Sequence, residues 1–128
     1  MGIERHSPSA GTLRVAAVQM ESQPGNKDAN FAKIEALVAQ AAAQSVDLII
    51  FPECCLTGYW FIRHLTAPQL ESLAEPIPDG ASTQRLKTLA AKYHLGIGAG
   101  LIEIGETGFY NSYVVAQSDG SVNRHRKI

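Results

Sequence analysis

The chain has 128 residues, 45% hydrophobic and 18% charged, so it can form a domain with a core and does not have a disordered composition. Eleven basic and twelve acidic residues leave a formal net charge of −1, which argues against nucleic-acid and membrane-surface partners because there is no basic excess to meet phosphates. The two cysteines, Cys54 and Cys55, are adjacent, which is poor geometry for a structural disulfide.

Residues 1–12 are expected to form a flexible leader. They lack the apolar centre of a signal peptide and the serine or threonine spacing of a myristoylation signal. No apolar run in the chain approaches the roughly 20 residues of a membrane span. With the unpaired cysteines, these features predict a cytoplasmic location.

The first half of the chain predicts a strand, a helix and a second strand. Leu13–Met20 is short and apolar, as expected of a strand buried on both faces. Asn26 is a good N-cap for a helix over Lys27–Gln44, whose apolar residues recur at helical spacing. Asp47–Phe51 is the clearest buried strand, and Pro52 ends it because proline cannot donate a hydrogen bond to a sheet.

The second half begins irregularly, with a short helix predicted near 68–74 and a longer helix that Ser82 or Thr83 could cap. Asp119-Gly120 is a strong hairpin-turn signal. Three strands are predicted in this half: Leu95–Glu103, Tyr110–Gln117 and Ser121–Lys127. This order of elements predicts an α/β layered domain that opens with parallel crossovers and closes on an antiparallel hairpin.

Glu53 is the most informative candidate for chemistry. It follows an apolar strand and Pro52, so it is expected at the carboxyl end of that strand, where ligands of open α/β sheets bind. A carboxylate among apolar neighbours has a raised proton affinity and can act as a general base near neutral pH. A glutamate that simply leaves a strand into solvent is the commoner alternative, and position alone does not separate the two.

Lys127 is the second candidate, because it ends the last predicted strand. A lysine beside a reacting carbonyl or nitrile can stabilise the negative charge that develops there. The alternative is a solvated basic edge formed with His125 and Arg126.

Cys54 and Cys55 could act as nucleophiles, since thiolates attack acyl carbon readily. Free cysteines are nevertheless among the most often buried residues, so packing is the favoured role for both. In an extended chain, consecutive side chains also point to opposite sides, so Glu53 and Cys54 are not expected to face each other. No histidine lies at zinc-ligand spacing around the two thiols, and no metal site is predicted.

The landmarks together resemble the nitrilase superfamily of carbon–nitrogen hydrolases. Leu13–Met20 resembles the first strand of that family, and residues 50–59 (IFPECCLTGY) resemble the element that contains its catalytic glutamate. Residues 110–112 (YNS) resemble the strand motif before the family's lysine, and residues 126–127 (RK) resemble the lysine motif, with His125 where many members have tyrosine. The matches follow the family order from Leu13 to Ile128.

The resemblance implies a partial α-β-β-α sandwich and a Glu–Lys–Cys mechanism without a metal or an organic cofactor. Glu53 would be the general base, Lys127 would stabilise the tetrahedral intermediate, and Tyr59 would line the substrate pocket. The substrate would be a small amide, N-carbamoyl amine or nitrile, cleaved at a non-peptide C–N bond through a thioester. The resemblance also implies a homodimer or other homo-oligomer once the protein is complete.

The chain departs from the family pattern in one respect. The family's cysteine lies on a later strand, beyond the lysine, and neither Cys54 nor Cys55 is in that position. Residues 13–128 are therefore expected to be the N-terminal part of a carbon–nitrogen hydrolase domain, a fragment that is inactive alone. Two alternatives stay open: a non-catalytic interaction or binding module derived from the same fold, and a small unrelated α/β enzyme that uses Cys54 or Cys55.

Overall fold

The computed structural model describes residues 11–128, so the predicted leader over residues 1–12 lies almost entirely outside the described part. The elements, in chain order, are β1 (Val15–Ala17), α1 (Lys27–Ala43), β2 (Leu48–Ile50), a 3₁₀ helix (Trp60–His64), α2 (Ala67–Leu73), α3 (Ala81–Tyr93), β3 (Gly96–Gly105), β4 (Gly108–Ala116) and β5 (Val122–Arg126). Within residues 11–128, no helix has the length and apolar character needed to cross a membrane.

The strands form one sheet whose order follows the chain, β1-β2-β3-β4-β5. The β1–β2 and β2–β3 pairs are parallel, whereas β3–β4 and β4–β5 are antiparallel. This confirms the predicted parallel opening and antiparallel close. The 3₁₀ helix Trp60–His64 was not predicted, because its five residues are too few for a periodic pattern.

One face of the sheet is covered by α1 and α3. Buried apolar residues of both helices join one core with alternate residues of the strands, among them Ile97, Ala99 and Val114. Because strand side chains alternate, the intervening positions lie on the other side of the sheet, which we call the opposite face; it carries Gly98, Gly100, Asn111 and Tyr113. The chain thus forms one helix layer and one sheet of the predicted sandwich.

The prediction that Leu13–Met20 is a strand buried on both faces was wrong in length and in burial. β1 has three residues, and Val15 is 46% exposed. The reason is that α1 and α3 cover one face of the sheet: Ala16 packs against their core, whereas Val15 lies on the opposite face, where Ile50 of the neighbouring strand is also exposed.

The two long helices are capped differently. In α1, the Asn26 side chain accepts a hydrogen bond from the Ala29 amide at 3.0 Å, as predicted. In α3, the predicted cap by Ser82 or Thr83 was wrong, because Gly80 is the N-cap and makes no side-chain cap bond. The carboxylate of Glu75, in the preceding loop, takes over this role by accepting the Ser82 amide at 2.7 Å.

Candidate active site

Glu53 lies in a tight turn that follows β2. In this turn Cys54 has a left-handed backbone (φ 53°), and the Gly58 amide donates to the Cys54 carbonyl at 2.8 Å. The turn packs against β3 at Gly100, where an added Cβ would lie 2.2 Å from the Cys54 nitrogen. A glycine is needed there because the two backbones touch, and this contact fixes the position of Glu53.

Lys127 reaches the same place from the other end of the chain. It follows β5, and its backbone amide continues the pairing with β4 by donating to the Asn111 carbonyl at 2.8 Å. Its Nζ lies 2.6 Å from Oε1 of Glu53, although the two residues are 74 positions apart in sequence. The structure therefore brings together the two residues that the sequence predicted as catalytic.

Asn111 is a third member of the site and was not among the predicted site residues. Its Nδ2 donates to Oε1 of Glu53 at 2.6 Å, and its Oδ1 accepts from the Cys54 thiol, with Sγ and Oδ1 3.5 Å apart. A signal was available, because asparagine is depleted in strands and Asn111 lies near the middle of one that is mostly apolar and aromatic.

The charges at the site are those of an ion pair. The hydrogen bond from Lys127 is the main cause that lowers the pKa of Glu53, and it outweighs the opposing effect of burial. The same hydrogen bond raises the pKa of Lys127. The expectation that apolar neighbours raise the proton affinity of Glu53 was therefore wrong: its side chain is 40% exposed and bonded to an ammonium group, so the carboxylate is ionised at neutral pH.

The two cysteines are buried, as predicted. Cys54 is 2% and Cys55 1% exposed, and burial raises the pKa of their thiols to about 11 and about 12 respectively. A thiol of this kind is protonated at neutral pH and is a poor nucleophile. The structure therefore gives no support to the alternative in which Cys54 or Cys55 attacks a substrate.

The expectation that Glu53 and Cys54 do not face each other assumed an extended chain, whereas residues 53 and 54 lie in a turn. The left-handed backbone at Cys54 turns its side chain toward Asn111, which Glu53 also contacts. The two side chains bind opposite ends of the same amide group. Backbone conformation, and not strand alternation, decides their directions here.

Tyr59 lies beside the ion pair, with its ring centroid 5.9 Å from Nζ of Lys127 and its side chain at a cavity wall. The cavity has a volume of about 430 Å³. Most of its lining is aromatic or aliphatic: Cys54, Tyr59, Trp60, Ile62, Arg63, Leu70, Ile102, Phe109, Tyr110 and Asn111. Arg63 is the charged residue in this lining; its guanidinium lies 5.5 Å from the Trp60 ring, and its Nε lies 3.2 Å from Nε2 of His64.

Glu53 and Lys127 themselves line a smaller depression of about 280 Å³, and Asn111 lines both spaces. Asn111 thus stands between the ion pair and the apolar cavity. Among residues 11–128, no three His, Cys, Asp or Glu side chains gather closely enough to hold a metal ion. What this arrangement offers chemically is an ionised carboxylate, an ammonium group and an adjoining apolar space.

The chain is similar to known proteins over most of its length. The carbon–nitrogen hydrolase family profile matches residues 14–128, which is most of the chain. The chain therefore belongs to the carbon–nitrogen hydrolase family.

Individual relatives agree with this placement. The chain is 35% identical over 116 residues to a nitrilase from Pyrococcus abyssi, covering 91% of this chain and 43% of that protein. It is 32% identical over 119 residues to an omega-amidase from Mus musculus, covering 91% of this chain and 40% of the relative. A crystal structure of a superfamily member from Xanthomonas campestris superposes with a TM-score of 0.76 at 26% identity, covering 90% of this chain and 40% of that one. The chain thus spans about two fifths of the length of these relatives.

Proposed function

We propose that this chain supplies the general base and the charge-stabilising lysine of a Glu–Lys–Cys hydrolase that cleaves non-peptide C–N bonds. The observation that carries the proposal is the 2.6 Å contact between Nζ of Lys127 and Oε1 of Glu53 at the end of β2. Family membership supports this class of reaction, because its named members include a nitrilase and an omega-amidase. The nucleophilic cysteine is proposed to lie outside these 128 residues, since both cysteines present are buried and protonated.

The proposed reaction has two stages. Glu53 takes the proton of the thiol, and the thiolate attacks the carbonyl or nitrile carbon while the Lys127 ammonium donates to the developing negative charge. With an amide, the C–N bond then breaks, the proton passes from Glu53 to the leaving nitrogen, and a thioester remains. Water deprotonated by Glu53 cleaves the thioester and returns the thiol and a carboxylic acid.

The substrate is proposed to be a small amide, N-carbamoyl amine or nitrile with an apolar portion. Support comes from the 430 Å³ cavity, whose aromatic and aliphatic lining matches the usual composition of small-molecule sites. Tyr59 is proposed to contact the substrate, because it borders both this cavity and the lysine. Arg63 offers a positive charge at the wall for a substrate carboxylate, although its exposure and its contact with Trp60 also suit a surface residue.

A cytoplasmic location and self-association belong to the same proposal. The location is supported by two free thiols that form no disulfide with each other. Self-association is supported by the family resemblance alone.

Glu53→Gln in the full-length product of the gene tests the assignment. This variant keeps the shape and the Lys127 contact but removes the base, so we expect turnover of a panel of small amides to fall by about 10³-fold or more. Lys127→Met should cause a loss of similar order by removing the cation. Glu71→Gln is the matched control, because Glu71 is an exposed carboxylate on α2.

Turnover near the wild-type rate in Glu53→Gln would refute the assignment. If the full-length wild-type protein cleaves none of the amides, carbamoyl amines or nitriles, the non-catalytic interaction module becomes the better hypothesis.

A further inference from the structure

The two hydrogen-bond donors at the site converge on one oxygen of Glu53. Nζ of Lys127 and Nδ2 of Asn111 both lie 2.6 Å from Oε1. Within residues 11–128, Oε2 accepts no hydrogen bond from any group. The carboxylate is therefore asymmetric: one oxygen is held by two donors, and the other is available.

Asn111 is itself held in one orientation. An ionised carboxylate accepts hydrogen bonds only, so the amide must present its NH₂ group to Glu53 and its oxygen to the other side. On that side the Cys54 thiol donates to Oδ1 of Asn111. The thiol can act as this donor because burial raises its pKa to about 11 and keeps it protonated. The backbone around Asn111 is fixed as well, since its carbonyl accepts the Lys127 amide.

We propose that Asn111 is a positioning residue which, together with Lys127, binds Oε1 of Glu53 and leaves Oε2 as the oxygen that accepts the proton of the nucleophile. This inference rests on the proposed role of Glu53 as general base. It also gives the buried Cys54 thiol a role that is not catalytic: it keeps the Asn111 amide from rotating away from Glu53. An amide suits this purpose, because it donates strongly to the carboxylate without adding a second charge beside the Lys127 ammonium.

A merely structural Asn111 would affect stability and leave the chemistry of Glu53 unchanged. A positioning Asn111 affects the protonation of Glu53, because loss of a donor to a carboxylate raises the pKa of that carboxylate. The distinguishing measurement is therefore a titration of the Glu53 side-chain carboxyl carbon by NMR. It requires no turnover and reads the proposed contact directly.

The test compares Asn111→Ala, Asn111→Asp and Asn123→Ala with the wild type. Asn111→Ala removes the donor, whereas Asn111→Asp keeps the size of the side chain and replaces the donor by a second carboxylate. Asn123 is the matched control, because it occupies an exposed position of β5 on the same face of the sheet and contributes no side-chain bond to Glu53. We expect the pKa of Glu53 to rise in both Asn111 variants, more in Asn111→Asp, and to stay at the wild-type value in Asn123→Ala.

In the active full-length protein, Asn111→Ala should lower kcat by about tenfold with KM within about twofold, because the amide of Asn111 is bonded to Glu53 and Cys54 and its loss misorients the base. An unchanged Glu53 pKa in both Asn111 variants would overturn the inference, and so would an equal shift in Asn123→Ala. This failure differs from that of the proposed function. If the pKa of Glu53 responds to Asn111 but Glu53→Gln retains full turnover, the contact is real and the general-base assignment is wrong.

Discussion

Arg126 and Lys127 are consecutive residues, yet they bind different carboxylates on opposite faces of the sheet. Arg126 belongs to β5 and forms a two-point ion pair with Glu103 of β3, through Nε and Nη2 at 2.9 Å each. Lys127 points the other way and binds Glu53. The alternation of side chains along a strand separates the two pairs, although their basic partners are neighbours in sequence.

The two carboxylates differ in burial and in how many of their oxygens accept hydrogen bonds. Glu103 is 1% exposed, and both its oxygens are occupied by Arg124, Arg126 and Ser112. Glu53 has a 40% exposed side chain and one oxygen without a bond among the described residues. A buried, fully bonded carboxylate holds elements in place, whereas a partly exposed carboxylate with a vacant oxygen can take a proton from another molecule. We infer that the Glu103 cluster, formed by Glu103, Ser112, Arg124 and Arg126, anchors β5, which Lys127 directly follows.

Removing each carboxylate in turn should give the largest difference in the free energy of unfolding. Glu103→Ala should lower the free energy of unfolding by about 2–4 kcal/mol, because it removes the buried partner of two arginines and a serine. Glu53→Ala should change it by less than about 1 kcal/mol, because its ion pair is largely solvated. Urea unfolding followed by circular dichroism measures both. Equal losses in the two variants would contradict the division into an anchoring and a chemical carboxylate.

A pair of glycines in β3 tests how the turn that carries Glu53 is held. Gly100→Ala should cost about 1–3 kcal/mol and displace the turn, because its Cβ would lie 2.2 Å from the Cys54 nitrogen, a backbone atom. Gly96→Ala is the matched control; its nearest contacts, at 3.0 Å, are the side-chain ends of Gln117 and Leu48, which can move. Urea midpoints give the stability change, and the amide shifts of residues 53–55 report the displacement. A Gly100→Ala protein as stable as Gly96→Ala would argue against the close backbone contact.

The smallest expected difference is between the effects of one Glu103 variant on stability at two pH values. The hydrogen bond from Arg126 is the main cause that lowers the pKa of Glu103 below its ordinary value of 4.5. A carboxylate with a lowered folded-state pKa stabilises the fold fully above its unfolded pKa, and that contribution is lost as the pH falls through the folded value. Glu103→Gln should therefore destabilise the protein more at pH 7 than at pH 3 in urea unfolding.

Glu71→Gln, at an exposed site on α2, serves as the control for this comparison and should cost equally little at both pH values. If Glu103→Gln costs the same at pH 3 as at pH 7, ionisation of Glu103 contributes nothing to the fold. Some acid sensitivity should persist in every variant, because the pKa of Glu75 is also lowered: hydrogen bonds from Lys27 and Ser82 outweigh its burial.

Much of the architecture could be predicted because it depends on local patterns. The helical spacing of α1 with its Asn26 cap and the turn before β5 were correct within a few residues. Predictions failed where a distant group replaced a local one. Glu75 caps α3 in place of Ser82 or Thr83, and β1 is exposed on the face of the sheet that α1 and α3 do not cover, although its apolar sequence suggested burial on both faces.

The residues of the candidate site also divide into those that local sequence predicted and those that depend on distant partners. Glu53 and Lys127 were recognised by their motifs, and the structure brings them into contact; their catalytic roles stay a proposal. Asn111 and the Glu103 cluster were missed, because their partners lie in other elements and no spacing in the sequence connects them.

The sequence by itself determined the family, the order of elements and the two residue types at the candidate site, because periodicity, turn residues and short motifs are properties of neighbouring positions. The tertiary structure decided which charges meet. Pairing of β5 with β4 sends Arg126 to a buried glutamate and Lys127 to an accessible one, and the contact at Gly100 sets the turn that carries Glu53. Ion pairing, burial and the resulting pKa shifts depend on distances of a few ångströms between elements far apart in the chain, so they are fixed by packing and not by local sequence.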